Sequence, residues 1–149
     1  MSWANLSHQA NEHFPVLQLM LPNNRQLVGN TPLRALFLLS TDGNGMIPSV
    51  IVQQHFTLNE WCVLRVLLGA YPQAVPYQTL LAALHVSSLH HSQQHLHEAQ
   101  RNGYLRETLR PVRDTISRLR PKVRAFSIGI AVQAESGYVL TVQESSQSP

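Results

Sequence analysis

Charge is scarce in this chain. Lys, Arg, Asp and Glu make up 13% of its 149 residues, roughly half the share usual in a globular domain. The surface must therefore draw on Gln, Ser, Asn and His. Cysteine is nearly absent. Cys62 stands alone, which excludes an internal disulfide and fits a reducing compartment. It lies in an apolar helical stretch and reads as a small core residue. No apolar run approaches the roughly 18–20 residues that a membrane helix needs. Met1 to Phe14 shows no positive segment leading into an apolar one, so a signal peptide is not expected. Gly-rich phosphate loops, paired carboxylates and Cys–His or Ser–His pairs at recognisable spacing are also missing. The eight acids are spread too thinly for acid–base chemistry. The expectation is a cytoplasmic protein that is no enzyme and needs no cofactor or metal.

Apolar residues are present in ordinary measure, at 44%, and the length suits one domain with one core. The formal charge of +3 hides a strong polarity. Residues 101–124 hold Arg101, Arg106, Arg110, Arg113, Arg118, Arg120, Lys122 and Arg124 against only Glu107 and Asp114. The remainder holds Arg25, Arg34 and Arg65 against six acids. Positive charge gathered this way is a footprint for a polyanion, with a merely solvated face as the alternative.

Turn signals cut the first 55 residues into strands. Pro22-Asn23-Asn24, Gly29-Asn30 and Thr41-Asp42-Gly43-Asn44-Gly45 separate runs rich in Val, Ile, Leu and Phe. About four antiparallel strands are expected over 15–55, with Pro48 at a strand start or edge. The period then changes. Thr57-Leu58-Asn59-Glu60 is a capping box, after which Trp61, Leu64, Leu67 and Leu68 repeat at helical spacing until Tyr71-Pro72. A second helix is expected at about Tyr77–Leu84, and a polar, histidine-rich one from Ser88 to Arg101, stopped by Asn102-Gly103.

Pro111 opens the next helix, where its missing N–H does no harm. Val112, Ile116, Leu119 and Val123 form an apolar stripe. Arg113, Ser117, Arg120 and Arg124 follow one residue later as an adjoining stripe, with Arg110 at its N-terminal end. Phe126–Val132 and Tyr138–Val142 flank Glu135-Ser136-Gly137 as a hairpin. The first fourteen residues are left open as flexible, 144–149 is expected to be a disordered tail, and 1–143 forms one domain.

This order resembles the effector domain of OmpR-type response regulators from about Val16 to Val142. Phe56-Thr57-Leu58-Asn59-Glu60-Trp61 is similar to the family's opening of its first helix. Ile116-Ser117-Arg118-Leu119-Arg120-Pro121-Lys122-Val123 is similar to its recognition helix. Gly137-Tyr138-Val139-Leu140 is similar to the end of its wing. The resemblance implies an α+β winged helix-turn-helix: an N-terminal antiparallel β-meander, three core helices plus an inserted helix, and a C-terminal hairpin wing. It implies sequence-specific binding of double-stranded DNA by a transcription regulator, as a homodimer, with RNA polymerase or another regulator as a further partner and no membrane.

Three departures stand out. The spacer Val86–Leu109 is longer than the family's loop. Arg113 replaces a residue that is usually acidic. Pro121 removes the helical bond to Ser117 and disfavours helix at Arg120, so the helix is expected to end or kink there. The strands take up the residues before the first helix, so no phosphoacceptor receiver, and no control by aspartyl phosphorylation, is expected in this chain.

By this resemblance the third helix enters the major groove. Arg110, Arg113, Ser117 and Arg120 are the candidates for groove or base contact, and Arg118, Lys122 and Arg124 for phosphate contact. The hairpin tip, with Gln133, Glu135 and Ser136, has no arginine and is a weaker candidate. His91 and His95, four apart and near His97 and Glu98, lack a complete metal-ligand set and read as an exposed polar helix. The competing reading is a winged-helix module that binds protein and not DNA.

Overall fold

The computed structural model describes residues 17–41, 47–85, 94, 96–98, 101, 103, 105–133 and 136–143. The first fourteen residues, the 144–149 tail, the Asp42–Gly45 turn, Glu135, His91, His95 and most of the histidine-rich segment fall outside them. The chain is mixed α+β. Strands β1 (Leu17–Leu21), β2 (Arg25–Asn30), β3 (Ala35–Ser40) and β4 (Ser49–His55) form an antiparallel sheet in sequence order. Helices α1 (Leu58–Ala70), α2 (Tyr77–His85), a single turn α3 (Leu105–Thr108) and α4 (Arg110–Val123) follow. A 3-10 turn at Arg124–Phe126 leads into the hairpin β5 (Ile128–Gln133) and β6 (Gly137–Val142).

The sheet meanders because its turns are chemically cheap. Asn23 and Asn24 both take left-handed backbone angles between β1 and β2, which asparagine tolerates better than most residues. At the next turn the Asn30 side chain accepts the Leu33 amide at 2.9 Å. Register places Leu17 and Leu19, Leu27 and Gly29, Leu36 and Leu38, and Val52 on one face. Leu27, Leu36 and Leu38 join the core on that face, with Leu17, Leu19 and Val52 packed against it. β4 carries a bulge opposite Leu38/Leu39.

α1 starts where the capping box says it should. Glu60 N–H donates to Thr57 Oγ1 at 3.3 Å, and Thr57 N–H donates to Glu60 Oε1 at 3.0 Å. Trp61, Val63, Leu64 and Leu67 are buried on its inner side. At Gly29 the Trp61 indole reaches the β2 backbone so closely that a Cβ there would be 3.0 Å from Trp61 Cη2.

α4 is the most amphipathic element. Val112, Ile116, Leu119 and Val123 are all 0–1% exposed, each burial contributing about 1.5–3 kcal/mol. Here one of two expected outcomes is settled. Pro121 neither ends the helix nor confines it to Arg120, because α4 runs on to Val123. The ring is exposed and lies in the last turn. A proline inside a helix costs about 3 kcal/mol. Burying Leu119 and Val123 on either side offsets that cost.

The hairpin also starts later than its apolar run suggests. Phe126 belongs to the 3-10 turn, fully buried, and Ser127 takes a left-handed angle before β5 begins. Val75, between α1 and α2, then pairs with Tyr138: Val75 N–H donates to Tyr138 O at 2.7 Å and Tyr138 N–H to Val75 O at 3.1 Å. This bridge fastens the hairpin to the helices. Gly137 makes it possible, since its φ is +126° and a Cβ there would lie 1.8 Å from Val75 O.

Candidate nucleic-acid interface

The helical repeat sorts the side chains of α4 into three faces. The apolar face, already described, is sealed in the core. Thr115, Arg118 and Lys122 line a second face directed at the start of α1. Arg110, Arg113, Ser117, Arg120 and Arg124, the last just beyond the helix, form a third and are all exposed. This outer row extends about 21 Å from first to last arginine at 1.5 Å per residue.

On the second face Lys122 is paired internally with Glu60, while Arg118, its side chain 55% exposed, approaches the same carboxylate without a hydrogen bond. Lys122 Nζ donates to Glu60 Oε1 at 2.6 Å. It also stands 5.8 Å from the centre of the Phe56 ring. Arg118 Nε lies 4.0 Å from Glu60 Oε2, and its Nη2 donates to Thr115 Oγ1 at 3.4 Å. Thr115 itself donates to the Pro111 carbonyl at 2.8 Å. Glu60 is only 2% exposed. Burial works to raise its carboxyl pKa, but the Lys122 hydrogen bond and charge, with the Thr57 bonds, outweigh this and hold it below 4.5. Of the four candidate cations in the C-terminal half of α4 and its exit, Lys122 is therefore held by a carboxylate and Arg118 lies at the edge of its reach.

The outer row is different. Among the described residues, Arg110, Arg113 and Arg124 make no ion pair. Arg120 Nε donates to the Ile130 carbonyl at 3.1 Å, which orients its guanidinium against the hairpin and leaves the two Nη groups for another acceptor. Arg113 and Arg120 both act electrostatically on Tyr138, so the row runs beside the hairpin where it joins the helices. Burial, followed by the neighbouring Tyr77, keeps the Tyr138 phenol raised above 10.0 despite those arginines. Its ring meets Tyr77 edge-on at 5.7 Å and is buried. Tyr138 is a packing residue.

Asp114, the one acid of α4, is exposed. The hairpin supplies no Lys or Arg, and the exposed Gln133 and Ser136 at its end add only neutral groups. Among the described residues no three His, Cys, Asp or Glu side chains are grouped to hold a metal ion. No helix among them is long and apolar enough to cross a membrane.

Sequence reasoning brought the seven candidates to α4 and its exit but missed Glu60 as the neighbour of Arg118 and Lys122. Its capping box gave it a sufficient local role. The available signal was Arg118 and Lys122, four apart and beside the apolar stripe, where a cation needs a partner. No family model, no curated protein and no solved structure matches the chain.

Proposed function

We propose that the chain is a sequence-specific regulator of transcription that binds double-stranded DNA as a winged helix-turn-helix, laying α4 in the major groove. One observation carries this reading. A helix buried along Val112, Ile116, Leu119 and Val123 presents Arg110, Arg113, Arg120 and Arg124 outward in a single row. A major groove about 12 Å wide admits a helix. Arg110, Arg113, Ser117 and Arg120 would enter the groove and meet base edges, and Arg124 at the end of the row would meet phosphate. The OmpR-like motifs support the same placement, with α4 as recognition helix and β5–β6 as wing. A homodimer on paired half-sites completes the proposal, with half-sites one or more helical turns apart.

The test is equilibrium binding of the full chain to random duplex DNA across a salt series, followed by selection of a preferred site. Binding that weakens steeply with salt, and a selected site bound at least about 10³-fold tighter, are the expected results. Failure to bind any duplex at low salt would overturn the reading.

A second reading, a protein-binding module, has its own support. Ile47, Val50 and Ile51 at the β4 edge are 82%, 50% and 47% exposed, and β4 is the last strand of its sheet. The basic row of α4 has no evident use in that reading, so DNA is preferred.

A further inference from the structure

We infer that Glu60 sets the selectivity of α4 for its DNA site by withholding Lys122, and by drawing the more exposed Arg118 inward, away from phosphate; this rests on the DNA reading above. Affinity for any duplex, whatever its sequence, grows with the number of cations that neutralise phosphates. Discrimination grows with the few groups that meet base edges. A helix studded with arginines is therefore at risk of binding everywhere.

The geometry shows how this chain limits that risk. Arg118 and Lys122 belong to the same helix as the outer row but face the first turn of α1. There one carboxylate, 2% exposed, lies within 2.6 Å of Lys122 Nζ and 4.0 Å of Arg118 Nε. Lys122 has a second hold in the Phe56 ring, and Arg118 in Thr115. Glu60 cannot follow them outward, because the capping box fixes its carboxylate to the Thr57 amide. Recruiting Lys122 to a phosphate would leave a buried carboxylate without its counter-ion, which is strongly unfavourable. The carboxylate thus holds the place a phosphate would take. Glu60 never touches DNA in this scheme. It is a positioning residue that reduces the sequence-independent part of binding and leaves the outer row untouched.

The experiment compares the full-length chain with E60Q, K122Q, R113Q and E60Q/K122Q. Each is measured by fluorescence anisotropy on random duplex and on the selected site over a salt series. Glutamine at position 60 keeps the capping geometry, since that motif accepts Glu or Gln. E60Q is expected to bind random duplex about three- to tenfold tighter at low salt, with the slope of log K against log salt steeper by about 1–2. The selected-to-random ratio should fall. Adding K122Q should reverse much of that gain, whereas K122Q alone should leave the slope unchanged. R113Q should flatten the slope or erode the selected-site preference, and thereby show that the DNA reading stands. A slope flattened by about 0.9 in K122Q alone would overturn the inference, because Lys122 would then already meet a phosphate. So would an E60Q protein with wild-type slope and ratio. If E60Q does not fold, the K122Q slope decides. Loss of duplex binding in the parent chain would sink the function reading and this inference with it.

Discussion

Lys122 donates to Glu60 across 62 residues of sequence at 2.6 Å, so the end of α4 is tied to the start of α1 by one charged contact. Lys122 remains 33% exposed, which screens the pair and keeps its net worth well below that of a fully buried ion pair. The acid side of the pair is the informative one. Folding lowers the Glu60 pKa below 4.5. The resulting stabilisation is complete above the unfolded value and is lost as pH falls through the lower folded value. Urea midpoints measured from neutral pH to about pH 3 should show a steeper acid decline in the parent than in Glu60→Gln. Parallel curves would show that the contact contributes nothing.

Gly137 admits no side chain. Its φ of +126° and the 1.8 Å approach of a Cβ to Val75 O make Gly137→Ala incompatible with the Val75–Tyr138 bridge. A loss of at least about 2 kcal/mol is expected from strain of this kind together with the lost bonds. Hydrogen exchange should locate it, with the Val75 and Tyr138 amides losing protection first.

The two sides of α4 should separate stability from binding. Leu119, 0% exposed, should cost about 2–5 kcal/mol on replacement by Ala. Arg113 is exposed, and Arg113→Ala should change stability by no more than about 0.5 kcal/mol while weakening DNA binding by about 1–3 kcal/mol if it reads a base. A chemical denaturation curve and a binding isotherm on each variant check both expectations.

Arg120 and Arg124 offer a finer contrast. The bond from Arg120 Nε to Ile130 O pre-orients one fork, and lysine cannot reproduce it. Arg120→Lys is expected to cost about 1–3 kcal/mol on the selected site and little on random duplex. Arg124→Lys should cost little on either. Equal losses on both duplexes for Arg120→Lys would mark it as a phosphate contact.

The legible parts of this fold were those that depend on near neighbours in sequence. The Thr57–Glu60 box gave the start of α1. The spacing of Val112, Ile116, Leu119 and Val123 gave the buried side of α4, and the Asn- and Pro-marked turns gave the sheet. What stayed hidden depended on distant neighbours. Glu60 looked satisfied by Thr57, and only the packing of α4 on α1 shows that Lys122 and Arg118 reach it as well. Pro121 looked like a helix end because local propensity ignores the burial of Val123 beyond it. The start of β5 was misread for a similar reason: Phe126 is apolar because it fills the core from a 3-10 turn. Whether a cation is available to a ligand cannot be inferred from helical periodicity alone.

Gly29 and Trp61 meet with no side chain between the β2 backbone and the indole, since even a Cβ would stand only 3.0 Å away. At this one point the sheet has no rotatable group of its own to yield, although leucines fill the rest of the face. A shift of the β2 backbone at Gly29 would therefore meet the buried indole directly and be passed to α1, with no side chain on β2 there to absorb it.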